Sequence, residues 1–130
     1  MENIEDLEKI CQTIIALNPK MRSARLINSR GHLTAGGMKD GLLSLEAQKQ
    51  DEMMFMELAL RVRMRHEFDG EFGKVHFSMS YRDKVIVMSF PLSNDDVLLL
   101  SCEKEIDFGK LPFDVLKIIE PLTKSPMKTF

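Results

Sequence analysis

Apolar residues at Ile4, Leu7, Ile10, Cys11, Ile14, Ile15 and Leu17 recur at the three-to-four spacing of an amphipathic helix. Asn3 is placed to cap it, and Glu5, Asp6 and Glu8 fall in a first turn where acidic side chains complement the helix dipole. Asn18-Pro19 ends it, because a proline disfavours helix at the residue before it. Ser23 to Asn28 and His32 to Ala35 then read as two short strands around the turn Ser29-Arg30-Gly31. Gly36-Gly37 and Gly41 predict a loop.

The next segment, Leu45 to His66, predicts the longest helix, with Ser44 as its candidate cap. At 100° per residue Phe55, Leu58, Ala59 and Val62 share one face, and Met53, Met56, Leu60 and Met64 fall nearly opposite. Arg61 and Arg65 occupy one flank; Glu52 and Arg63 interrupt the other. A helix covering a sheet needs one apolar stripe. Two stripes demand burial on both sides, either inside the domain or against a second chain. A two-layer domain of this length encloses few helices, so the second stripe is assigned to a second copy of the chain. A closed two-fold pair is the commonest such assembly.

Glu67 to Gly73 breaks the helix, and strands follow closely. Val75, Phe77, Met79 and Tyr81 alternate with His76, Ser78, Ser80 and Arg82, the pattern of a half-buried strand. Arg82-Asp83-Lys84 makes a hairpin turn. Val85 to Phe90 and Val97 to Cys102 are almost wholly apolar and belong inside a sheet, separated by a turn over Pro91 to Asp96. Leu111 to Glu120 reads as a closing helix with Pro112 in its first turn and Pro121 as its stop. The order α-β-β-α-β-β-β-α gives an α+β class, a five-stranded antiparallel sheet flanked by helices. No repeat or linker divides the chain, so residues 1–122 form one domain and 123–130 a flexible tail.

Composition narrows the function classes. The 130 residues, 44% hydrophobic and 29% charged, suit one globular domain rather than a disordered chain. Ten methionines stand beside no tryptophan and one tyrosine, a bias towards adaptable contact surfaces. No apolar run spans a membrane, and the acidic opening Met-Glu-Asn-Ile-Glu-Asp-Leu-Glu is unlike a targeting leader. Cys11 and Cys102 form no Cys-x-x-Cys and read as buried, reduced thiols, which points to the cytoplasm. A net charge of −2 leaves no electrostatic footprint for nucleic acid, and Arg63 points away from Arg61 and Arg65, dividing the basic patch.

Little in the sequence carries catalysis. His32, His66 and His76 are scattered over a turn, a helix end and a strand. His66, Glu67, Asp69 and Glu71 match the spacing of neither a zinc site nor a calcium loop. Gly36-Gly37-Met38-Lys39-Asp40-Gly41 has no Gly-Lys-Ser/Thr core. The expectation is no enzyme, no metal and no cofactor.

The element order, the strand ending Ile27-Asn28-Ser29-Arg30-Gly31, the following His32-Leu33-Thr34-Ala35-Gly36, the long helix, and the hairpin Lys84 to Phe90 with Val97 to Ser101 resemble the roadblock/dynein light chain family, in the profilin-like and longin-like group. The resemblance spans about Ile4 to Leu122. The chain is also similar to small proteins of ammonia-oxidising archaea, through Arg-Ser-Ala-Arg and Arg-Val-Arg-Met-Arg-His. The family resemblance implies a non-catalytic regulator or scaffold that pairs through its second helix and the strand after it, with Ras-like GTPases or motor complexes among the family's partners. On this chain the implied homodimer interface is Met53, Met56, Leu60 and Met64 with Val75, His76, Phe77, Ser78, Met79 and Ser80. The alternative is a small-molecule sensor of the same α+β class, with a cavity between sheet and helix.

Overall fold

A computed structural model describes residues 3–45 and 48–124. Helix α1 spans Ile4–Ile15, and its cap is the expected one: the Asp6 amide donates to Asn3 Oδ1 at 2.8 Å. Strands β1 (Met21–Ile27) and β2 (Leu33–Met38) form the first hairpin. Asn28 organises its turn, its side-chain oxygen accepting from the amides of Arg30 and His32. Helix α2 spans Gln48–Arg65; a 3₁₀ turn over His66–Phe68 and a one-turn helix α3 (Asp69–Phe72) follow. Then come β3 (Ser78–Tyr81), β4 (Ile86–Pro91), β5 (Val97–Cys102) and α4 (Leu111–Thr123).

The five strands make one antiparallel sheet in the order β2-β1-β5-β4-β3. The first and last strands of the sequence are neighbours at its centre, which closes the domain on itself. The fold is therefore the α+β class expected, with helices on both faces.

Each face has its own core. On one, Cys11 and Ile14 of α1 and Leu111, Val115 and Ile119 of α4 pack over Ala24, Leu26, Met88, Phe90, Leu98 and Leu100. On the other, Phe55, Leu58 and Val62 of α2 pack over Ile27, Val97 and Leu99. The alternation of β1 and β5 between these clusters explains why both strands read as continuous apolar runs.

Several boundaries differ from the sequence reading, each for a physical reason. Gly36 and Gly37 lie inside β2 rather than in a loop. A Cβ on Gly36 would stand 2.1 Å from the Ala24 carbonyl oxygen of β1 and 2.8 Å from Cys11 Sγ of α1. Its φ of +84° is also glycine's territory. The glycine is there because the β1 backbone and the Cys11 side chain of α1 crowd that point.

The strand expected over Val75 to Tyr81 is ordered as sheet only from Ser78. In the register that pairs Ser78 with Ser89, His76 would face Pro91, which has no N–H to give. Phe77 meanwhile turns its ring edge-on to Phe113 and against Phe90, joining the α4 face.

Helix α4 runs through Pro121 to Thr123, not stopping at Glu120. Proline so near the end costs a single hydrogen bond. Glu67 to Gly73, expected to be a break, stays helical as far as Phe72. Ser44 Oγ donates to Asp51 Oδ1 of α2 at 3.4 Å; the start of that helix, where Ser44 was the expected cap, adjoins residues 46–47, which lie outside the described residues, as do 125–130 of the expected tail.

Candidate interaction surface

Helix α2 keeps the two-striped character that its sequence shows. Phe55, Leu58, Ala59 and Val62 are buried against the sheet. The opposite row is open to solvent: Met53 is 64% exposed, Met56 61%, Leu60 52% and Met64 63%. The domain therefore does not enclose this helix. The chain leaves four large apolar side chains on one helix face, a contiguous patch of the kind that marks a contact site.

Sequence reasoning missed the continuation of that row. Met56, Leu60 and Met64 are followed at the same spacing of four by Phe68 and Phe72, 57% and 82% exposed, with their ring centroids 6.3 Å apart. The signal was present in the spacing. The glycines and acidic residues around it, which read as a helix stop, concealed it.

The expected strand residues fall in two groups. Ser78, Met79 and Ser80 lie on β3, the outer strand of the sheet, whose free side offers backbone donors and acceptors to another chain. Val75, His76 and Phe77 precede that strand, and Phe77 is directed into the core. The ten residues thus split into an exposed helix row, a free strand edge and a connecting segment.

Where α2 ends, His66 holds two carboxylates. Its Nδ1 lies 2.8 Å from Asp69 Oδ2 and its Nε2 2.9 Å from Asp95 Oδ1. Hydrogen bonds donated by the ring to Asp69 and then to Asp95 raise its pKa above the ordinary 6.5, against a smaller opposing effect of burial. Asn94 and Asp95, which take φ of +62° in the turn before β5, are among the residue types that tolerate that region best. This arrangement is an ion-paired brace with both ring nitrogens engaged.

The thiols show no sign of activation. Cys11 and Cys102 are buried and unbridged. Desolvation pushes both up to about 12, with Glu8 adding to the effect at Cys11. Thiolate is the nucleophilic form, so groups held this high are poor nucleophiles.

Arg25 crosses beneath α2, its Nη1 3.3 Å from Asp51 Oδ1 and its guanidinium 5.5 Å from the Phe55 ring centroid. On the helix surface Arg61 pairs with Glu57 one turn earlier. Beside that pair runs a groove between α2 and the β3–β4 side of the sheet, with a volume of about 650 Å³.

A five-stranded antiparallel sheet in this order, with two helices on one face and a long helix on the other, is the architecture of a roadblock/LC7 domain. The roadblock/LC7 domain from Streptomyces avermitilis aligns with a TM-score of 0.67 at 14% identity, covering 88% of this chain and 92% of that one. The gliding protein MglB from Thermus thermophilus aligns at 0.75 and 11% identity, covering 95% and 91%. MglB of Myxococcus xanthus aligns at 0.71 and 12%, covering 94% and 95%. At such identities the likeness is one of fold.

The family model described as "Family of unknown function (DUF6659)" matches residues 1–130, and the chain belongs to that family. No curated protein matches it significantly. Among the described residues no helix is long and apolar enough to cross a membrane.

Proposed function

We propose that this protein is a non-catalytic homodimeric adaptor that pairs through the exposed row of α2 and the free edge of β3. The observation that carries the reading is the row Met53, Met56, Leu60 and Met64, left more than half exposed after the helix has already covered the sheet. Burying four such side chains contributes about 5–10 kcal/mol gross, enough to offset much of the cost of association. Phe68 and Phe72 extend the same surface. The structural likeness to roadblock domains supports self-association, and one of the similar structures is described as MglB with a tetrameric arrangement.

A small Ras-like GTPase is the protein partner this reading favours, on the strength of the roadblock resemblance. The two unbridged thiols support a cytoplasmic setting. The test is light scattering coupled to gel filtration at micromolar concentration: a dimer is expected, and a monomer overturns the proposal. A small-molecule sensor is the second reading, and the groove beside α2 is the observation that favours it.

A further inference from the structure

The face of the sheet beneath α2 is only partly covered by it. Phe55, Leu58 and Val62 occupy the end near Ile27 and Val97. Alongside them the same face carries Ser78 and Ser80 of β3, paired with Ser89 and Val87 of β4. Ser78, Ser80 and Ser89 place hydroxyls on the floor of the groove, beside Val87. Ser78 is half-buried and Ser80 exposed on this edge strand, so their hydroxyls are open to whatever fills the groove.

The walls are cationic. Six arginine and lysine side chains line the groove against two carboxylates, Glu57 and Asp83, in a chain whose net charge is −2. Glu57 is already taken by Arg61, and Arg25 by Asp51. None of the ion pairs among the described residues engages Arg65, Arg82 or Lys84. Among the described residues Arg65 Nη1 is buried with no hydrogen-bond partner. A buried guanidinium nitrogen without an acceptor is costly to leave so. Burial, followed by repulsion from Arg61, also holds the Arg65 guanidinium below its ordinary pKa. An anion in the groove would offset the repulsion between Arg61 and Arg65.

We propose that this groove binds a phosphorylated, hydroxyl-bearing small molecule, with the phosphate taken by Arg65, Arg82 and Lys84 and the hydroxyls by Ser78 and Ser80. The guanidinium fork matches phosphate oxygens bidentately, and three cations outside any ion pair among the described residues, set against the one carboxylate of Asp83, leave an excess of positive charge that suits a phosphate. The volume of about 650 Å³ falls within the range of small-ligand sites. A nucleic-acid strand would call for a basic track along the surface, whereas these cations converge on one groove. The groove shares Ser78 and Ser80 with the proposed pairing edge of β3, whereas Arg65, Arg82 and Lys84 lie outside both that edge and the methionine row.

The experiment is calorimetric titration of the full chain with ribose 5-phosphate, with inorganic phosphate, with unphosphorylated ribose and with a single-stranded oligonucleotide. Saturable binding of ribose 5-phosphate, weaker binding of inorganic phosphate and none of ribose are expected. Arg65→Gln and, separately, Arg82→Gln should each weaken ribose 5-phosphate binding about tenfold or more. Arg63→Gln, outside the groove, should leave it unchanged. Arg82 lies at the β3–β4 turn, so its replacement keeps the test valid even where Arg65→Gln destabilises the fold. No saturable heat up to about 10 mM overturns the proposal, as does equal binding by Arg82→Gln. Tight, salt-dependent oligonucleotide binding without a response to the phosphate ester would also overturn it. The oligomeric state is measured on the same samples, so loss of the ligand site and loss of the dimer are read separately.

Discussion

The imidazole Nε2 of His66 lies 2.9 Å from Asp95 Oδ1, joining the end of the long helix to the turn between β4 and β5. The two residues are 29 positions apart, and Asp69 holds the other ring nitrogen. Both contacts favour the protonated imidazole, so the folded pKa of His66 lies above its unfolded value of 6.5. The stabilisation is complete below that unfolded value and is lost as pH rises through the raised folded one. His66 is half exposed, so solvent screening keeps the contribution small, about 0.5 kcal/mol. His66→Gln should lower the melting temperature at about pH 5.5 and have little effect at about pH 8.5. An equal loss at both values would show that the brace acts through packing and not charge.

Gly36 and Gly37 are adjacent in β2 and meet opposite surroundings. A methyl group on Gly36 would collide with the backbone of β1, whereas one on Gly37 would meet nothing within 4 Å. Gly36→Ala is expected to cost about 3 kcal/mol or more, from clash and backbone strain together. Gly37→Ala should stay within about 1 kcal/mol. Urea midpoints of the two variants check the contrast directly.

The two faces of α2 should separate folding from pairing. Leu58→Ala removes a side chain buried against the sheet and is expected to cost about 2–5 kcal/mol of stability. Met56→Glu with Met64→Glu changes side chains that the single chain leaves exposed. The double variant should remain folded by circular dichroism and elute as a monomer. A folded double variant that stays dimeric would move the interface elsewhere.

Phe68→Ser with Phe72→Ser tests the extension of that row. Both rings are exposed, so the melting temperature of the monomeric form should hardly change. The dimer dissociation constant, measured by sedimentation, should rise about tenfold or more.

The buried thiols should react only through unfolding. With both groups pushed up to about 12, maleimide labelling of the native chain is expected to run at least ~100-fold slower than in urea. Rapid labelling of either cysteine in the native state would show a local opening of the α1–sheet layer.

Much of this architecture is legible in the order of residues, because each element's periodicity reports its own faces. The spacing of Phe55, Leu58, Ala59 and Val62 identifies the buried side of α2 without any knowledge of the sheet beneath it. The apolar runs of β4 and β5 likewise announce strands covered on both sides. The strand entry at Ser78 was not legible, since it depends on a proline in the neighbouring strand. The role of Gly36 was equally hidden, because a close approach between α1, β1 and β2 leaves no periodic trace. The extension through Phe68 and Phe72 was hidden by turn-forming neighbours, although its spacing was intact.

The sequence by itself determined the class of fold, the number of strands and the existence of two apolar stripes on one helix. These follow from local periodicity and turn chemistry, which act within a few residues. Only the tertiary structure decided that one stripe stays in solvent, that His66 meets Asp95, and that Arg65 and Arg82 line one groove with Ser78 and Ser80. Those relationships join residues from separate elements, and they are set by strand order and helix placement. No spacing along the chain encodes them, because the distance between two elements in sequence says little about which of their faces will meet.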